Sequence, residues 1–248
     1  MMNIKKYLDS TYLKLPSQSN LTEEQNFEEA RKITEEAINN HFYLVMIRPN
    51  YVKRIKEIIT KFGSEVKVGT VIGFHEGTYS IKDKLTEAKK AIEDGVDELD
   101  YVVNYEAFKK GEIEIVKKEF IEGTTLGLNK GKVVKWIIEI AALSDEQIQT
   151  ICTYFSSWAQ ENFKPIDFQN IFVKSSTGFY KTEDGKPNGA TFHAIEIMLK
   201  YSKPLQVKAA GGVRTYDEAV KMIEMGVKRI GTSSAKALSE NKSTNSTY

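Results

Sequence analysis

The chain has 248 residues, 41% of them hydrophobic, and a net charge of +1 from 35 basic and 34 acidic side chains. That length and apolar content suit one sizeable core and exclude a disordered chain. The balance of charge supplies no field to draw nucleic acid or an anionic membrane, so any anion site must be local.

In chain order, strand-like runs fall at residues 6–9, 43–48, 66–74, 98–104, 133–141, 168–174, 205–210 and 228–231. The first is short and chiefly completes the pattern. Helix patterns lie between them at 22–40, 51–62, 81–94, 107–128, 144–162, 191–201 and 216–225. Thr22 followed by Glu23, Glu24 and Gln25, and Ser144 followed by Asp145 and Glu146, mark helix starts. Gly95 and Gly226 sit where helices should stop. Strands alternating with helices favour a parallel sheet, and eight units in 248 residues favour a closed barrel. An open doubly wound sheet would want a Gly-x-Gly-x-x-Gly turn after an early strand, and the sequence has none. The expected fold is a single α/β (β/α)8 TIM barrel over residues 1–238 with an extra N-terminal helical segment, then a polar tail at 239–248. The polar loop at 180–189 should be exposed.

No apolar run approaches the ~20 residues that span a bilayer. Residues 1–6 lead into a polar segment rather than a secretion signal. Cys152, the one cysteine, can form no intrachain disulfide and reads as a buried helical thiol. The expected compartment is the cytoplasm.

Two lysines stand out, each ending a strand-like run. Lys174 follows Ile171-Phe172-Val173 and precedes Ser175-Ser176-Thr177-Gly178; Lys208 follows Leu205-Gln206-Val207 and precedes Ala209-Ala210-Gly211-Gly212. Period-2 alternation puts Ile171, Val173, Leu205 and Val207 on one face and both lysines on the other. If the apolar face packs on helices, the lysines point into the lumen. On the fourth strand, Leu99, Tyr101 and Val103 share one face and Asp100 shares the other with Asn104. Asp9 ends the first strand. In a barrel of this kind chemistry belongs at the C-terminal strand ends.

Two ammonium groups in one enclosed space repel each other, and desolvation adds to the effect, so one becomes a neutral amine able to attack a carbonyl. Lys208, if protonated, would lower the pKa of Lys174. The imine formed on Lys174 would serve as an electron sink for breaking or making the neighbouring C–C bond, with Asp100 moving protons through a water. The plainer readings are solvated strand lysines, a counter-ion role for Asp100, and an Asp9 that caps the Ser10-Thr11-Tyr12 turn.

Gly211-Gly212-Val213-Arg214-Thr215 opens one helix and Gly231-Thr232-Ser233-Ser234 opens a short one at 235–238. Glycines admit a ligand to the backbone, and helix N-termini offer N–H groups. Together with Gly178 these turns form a phosphate cradle after the last strands, where barrels commonly place one; the alternative is ordinary loops. His41, His75 and His193 have no metal-ligand spacing, so no metal is expected. His75, after the third strand, reads as a loop residue near the mouth.

The segments Val173–Phe179, Val207–Thr215, Leu99–Asn104, Leu8–Thr11 and Gly231–Ser234 together resemble the deoxyribose-phosphate aldolase family, class I aldolases on (β/α)8 barrels. The likeness runs through nearly the whole chain in the same order. It implies reversible cleavage of 2-deoxy-D-ribose 5-phosphate to D-glyceraldehyde 3-phosphate and acetaldehyde, with no metal or organic cofactor. It assigns the Schiff base to Lys174, pKa tuning to Lys208 and proton transfer to Asp100. It places Asp9, Thr11, Gly178, Gly211, Gly212, Arg214, Gly231, Ser233 and Ser234 around the phosphorylated sugar, and matches Tyr248 to a tail tyrosine that assists proton abstraction. Departures are Phe74-His75 where Gly-Phe-Pro is common, Met46 where a cysteine is frequent, and the long loop at 180–189. Other readings are a related class I aldolase on another phosphosugar, a non-catalytic phosphosugar-binding barrel, and an isomerase on the same cradle. No nucleic acid or membrane partner is expected. Assembly is left open, with a homodimer as one expectation.

Overall fold

Eight parallel strands close into a barrel in sequence order. The structure, a computed structural model, describes residues 2–183 and 185–242. The strands are β1 (Leu8–Thr11), β2 (Leu44–Ile47), β3 (Lys67–Ile72), β4 (Glu98–Val102), β5 (Val133–Ile137), β6 (Ile171–Lys174), β7 (Gln206–Ala210) and β8 (Arg229–Thr232). Closure comes from β1 pairing with β8, Leu8 opposite Ile230 and Asp9 opposite Gly231. The helices are α1 (Pro16–Ser19), α2 (Glu23–Asn40), α3 (Val52–Lys61), α4 (Ile81–Glu93), α5 (Tyr105–Lys109), α6 (Ile113–Asn129), α7 (Asp145–Asn162), α8 (Phe192–Tyr201), α9 (Tyr216–Met225) and α10 (Ala235–Ser239).

The expected helix starts are present. Thr22 and Ser144 each accept the backbone N–H three residues on, and Gln25 and Gln147 reach back to complete capping boxes. Three boundaries differ from the sequence pattern. Residues 5–7 form a single 3-10 turn, which is all the helix that precedes β1 among the described residues, so the first strand runs two residues later and Asp9 is its second residue. The pattern at 107–128 is two helices, because Gly111 takes φ +79 between α5 and α6. The run at 168–174 begins in a 3-10 segment, Pro165–Asn170, which leaves four residues of strand.

Alternation along the strands divides the residues as the barrel requires. Leu99, Tyr101, Val134, Trp136, Ile171 and Val173 face the helices and are fully buried. The helix layer comes close to the sheet at α6, where a Cβ on Gly127 would lie 2.2 Å from Val134 Cγ2 and one on Gly123 2.8 Å from Trp136. The other strand face fills the lumen. The loop at 180–189 is exposed over most of its length, but Gly189 is buried against Gly211. Helix α10 ends at Ser239, one residue into the expected tail; Tyr248 lies outside the described residues.

Candidate active site

Strand pairing brings the two lysines side by side. Lys174 is the register partner of Lys208, Lys208 of Arg229, and Asp100 of Lys135. Paired residues of parallel neighbours share a face, so all of these enter the lumen. Asp100 Oδ2 accepts from Lys174 Nζ at 2.8 Å and from Lys208 Nζ at 3.0 Å. Its Oδ1 accepts from Lys135 Nζ at 2.6 Å.

The network continues downward. Lys135 also meets Glu98 at 2.5 Å, and Lys208 meets Asp9 Oδ2 at 2.6 Å. Arg229 donates from Nε to Asp9 Oδ1 at 2.8 Å, makes a shorter second contact from its other arm, and reaches Glu98 at 3.0 Å. Asp9, Asp100, Lys135 and Lys208 are fully buried, whereas Lys174 keeps 3% exposure at the upper end. Asp9 does not cap the Ser10-Thr11-Tyr12 turn. Both its oxygens are held by Lys208 and Arg229, while Thr11 Oγ1 donates to the Asp9 carbonyl at 2.9 Å.

These surroundings separate the two amines. Burial is the main cause that lowers the Lys174 ammonium to about 8; Asp100 opposes it, and Lys208 and Lys135 push it further down. Desolvation therefore outranks the repulsion between the lysines. Burial pulls on Lys208 as well, but Asp100 and Asp9 more than offset it and hold that ammonium above its ordinary value. Burial opposes the charge on Asp100, yet Lys135, Lys174 and Lys208 keep its carboxyl well below the usual range. The group poised to be neutral is Lys174, the one nearest solvent. An uncharged, reachable amine beside an ammonium and a carboxylate can attack a carbonyl and shuttle the protons that dehydration needs.

Among the segments that follow the strands lies a cavity of about 720 Å³. Lys14, His75, Tyr105, Gly178, Phe179 and Tyr180 contribute to its lining. His75 is a loop residue and also lines the mouth, its ring stacked on Phe179 at 5.7 Å between centroids.

The glycine turns gather on one side of this mouth. Gly178, Gly211 and Gly212 have φ of +83, +74 and +76, a backbone that only glycine adopts without strain. A Cβ built on Gly189 would sit 2.4 Å from the Gly211 carbonyl carbon, and one on Gly211 3.7 Å from Gly178 Cα, so both ends of the β6–α8 loop touch the β7–α9 loop here. The N-terminus of α9 is not open as its sequence suggests. Glu218 accepts from the N–H groups of Arg214 and Thr215 at 2.8 and 3.0 Å, leaving the upstream turn and the dipole to face a ligand. The Arg214 side chain is exposed, and Ser234 N–H donates to Thr232 Oγ1 at 3.1 Å. Gly231 also leaves room for the Lys208 stem, whose Cε would lie 3.2 Å from an added Cβ.

Sequence reasoning passed over Lys135, Glu98, Arg229 and Glu139. The alternation that exposed Lys174 also marks Lys135, set between Val134 and Trp136. Glu98 is two residues from Asp100 on the same face, and Arg229 two before Gly231. Glu139 follows the end of β5 in a left-handed conformation with no comparable pattern.

Residues 6–237 match the family model described as DeoC/LacD family aldolase. A curated relative from Thermococcus gammatolerans, named deoxyribose-phosphate aldolase, is 39% identical over 94% of this chain and 93% of its own length. One of the same name from Lactiplantibacillus plantarum is 37% identical over 96% and 99%. Among solved structures, the aldolase QR15 superposes with a TM-score of 0.77 at 32% identity, covering 97% of this chain and 96% of its own. The deoxyribose phosphate aldolase from Aeropyrum pernix, described as a tetramer, gives 0.76 at 29% identity over 96% and 89%. With the lysine pair, the closed barrel and near full-length likeness in agreement, the chain is a member of the DeoC/LacD family of aldolases.

Proposed function

We propose that this aldolase reversibly cleaves 2-deoxy-D-ribose 5-phosphate to D-glyceraldehyde 3-phosphate and acetaldehyde through a Schiff base on Lys174. The observation that carries the reading is the shared carboxylate oxygen: Lys174 and Lys208 both reach Asp100 Oδ2 inside a closed lumen. The names of the relatives supply the substrate.

The neutral Lys174 amine adds to C1 of the open-chain sugar. Loss of water from the carbinolamine gives the protonated imine, Asp100 moving protons through a water and Lys208 staying charged beside it. The C2–C3 electron pair then flows into the imine as the C3 hydroxyl loses its proton, and glyceraldehyde 3-phosphate departs. The remaining enamine takes a proton at C2, and hydrolysis of the imine frees acetaldehyde and the amine. The phosphate is received by Gly178, Gly211, Gly212, Arg214, Gly231, Ser233 and Ser234, a reading supported by the close approach of Gly178 and Gly211. Asp9, with Thr11 beside it, acts on the sugar site through Lys208, which it holds charged. Tyr248 is proposed as a further proton carrier.

Trapping with acetaldehyde and borohydride, read by mass spectrometry, tests the assignment. The two-carbon adduct is expected on Lys174, and Lys174→Ala should abolish cleavage while phosphate binding survives. Turnover by that variant near the wild-type rate would remove Lys174 from the role. Residues 1–238 are proposed to form the barrel aldolase domain, with the tail at 239–248 supplying only Tyr248, and a homodimer is the assembly to test by light scattering. The cytoplasm is the proposed location, since a buried free thiol at Cys152 suits a reducing compartment; among the described residues no helix is long and apolar enough to cross a membrane.

A further inference from the structure

Glu139 occupies an unusual position beside the Lys174 strand. Its backbone is left-handed, φ 55 and ψ 69, a conformation costly for a residue with a long side chain. Two ladder bonds enforce it: Ile138 N–H donates to the Lys174 carbonyl at 3.0 Å, and Ile140 N–H to the Ser175 carbonyl at 2.9 Å. The side chain is 1% exposed and turned inward. Its Oε2 accepts from Thr177 N at 3.2 Å and from the Thr177 hydroxyl. That hydroxyl in turn accepts from Phe179 N at 3.0 Å. The other oxygen, Oε1, is buried with no hydrogen-bond partner among the described residues.

The chain of contacts therefore runs from Glu139 through Thr177 to Phe179, whose ring stacks on His75 and meets Phe74 edge-on at 5.1 Å. It spans the turn that joins Lys174 to Gly178. The upstream side of that turn is tied to β7, with Ser175 Oγ donating to the Ala210 carbonyl at 3.0 Å. The Thr177 side has Glu139.

We infer that Glu139 is a positioning residue for the turn from Lys174 to Phe179, holding it in the substrate-receiving conformation as a carboxylate and releasing it on gaining a proton. The inference rests on the aldolase reading of Lys174. A carboxylate accepts two donors from Thr177 more strongly than a carboxylic acid does. The orphaned Oε1 leaves half the charge unsolvated, which favours the acid form. Burial pushes the carboxyl up to about 7, against the Thr177 donors and the charge of Lys174. The other titratable group that feels it is Tyr105 on α5, whose phenol burial holds at about 12, so it stays neutral across this range.

The test compares wild type with Glu139→Gln, which keeps an acceptor for Thr177 but cannot ionise. Two readouts are followed from pH 5.5 to 9. One is log kcat/KM for 2-deoxyribose 5-phosphate. The other is hydrogen exchange of the peptide covering 175–180, corrected for the intrinsic rate. The wild-type kcat/KM should approach a slope of two below about pH 7, where Glu139 and Lys174 both take up protons, and the variant a slope of one. Exchange protection in wild type should fall several-fold below that pH and stay flat in the variant. A merely structural glutamate would lower the whole rate curve without changing its slope. Parallel pH profiles of wild type and variant, in rate and in exchange, would overturn the inference. An exchange transition lost in the variant, in a protein that shows no turnover and no trapped Lys174, would instead sink the aldolase reading and leave the positioning role standing.

Discussion

Lys174 and Lys208 are the same residue type at one register position on adjacent strands, yet they lie on opposite sides of the ordinary lysine value. The difference is one carboxylate. Lys208 touches Asp9 and Asp100, while Lys174 touches Asp100 alone and faces two further ammonium groups. Burial by itself does not make a lysine reactive. Lys84, on the helix side, is fully buried and paired with Glu119 at 2.8 Å, with its remaining reach used on the Val102 carbonyl. With Lys174 at about 8, on the order of one-tenth of it is neutral at pH 7. The rate of imine formation should therefore rise with pH and level off above about 8. Lys135→Met deletes one of the cations that depress Lys174, so this limb should move to higher pH in the kcat/KM profile. The same change leaves Glu98 with Arg229 alone and Asp100 with only Lys174 and Lys208, and denaturant unfolding should show a loss of about 3–5 kcal/mol. A limb that stays in place would mean Lys135 does not sense Lys174.

At the scale of elements, the site depends on loops carried against one another by a rigid barrel. The loop at 180–189 brings Gly189 onto Gly211, and Ala190 N–H donates to the Gly211 carbonyl at 2.9 Å. Gly189→Ala would drive a methyl into the Gly211 backbone and push this loop off the cradle. Steady-state kinetics should show KM for the phosphosugar raised about tenfold, or about 1.4 kcal/mol, with kcat within about twofold, because nothing in the lumen moves. An unchanged KM would detach this loop from phosphate binding.

The lumen of the whole molecule encloses four cations, Lys135, Lys174, Lys208 and Arg229, against three carboxylates, Asp9, Glu98 and Asp100. Charges balance when one cation is neutral, and the strand-end amine is the one released. Acid removes the balance from the other side. Asp9 and Asp100 have folded values below the ordinary aspartate value of 3.8, so their contribution is present above that pH and lost as pH falls through the folded values. Circular dichroism against pH should show the fold retained to about pH 4, then a cooperative loss as the carboxylates protonate and leave four buried cations unpaired. Unfolding centred near pH 5 would mean the lumen carboxylates do not stabilise the fold.

Local pattern made the barrel, the lumen lysines and Asp100 legible, because each strand's two faces meet different surroundings and period-2 alternation records that division. Helix starts at Thr22 and Ser144 were legible for a similar reason: a cap is a contact between residues three apart. What lies across strands was not. Lys135, Glu98 and Arg229 join the network through register and barrel closure, which no single run of sequence encodes. Glu139 reaches Thr177, 38 positions along the chain, because β5 and β6 end side by side. Which lysine loses its proton was also a tertiary matter, since it depends on how many carboxylates each nitrogen meets once eight strands have closed around them.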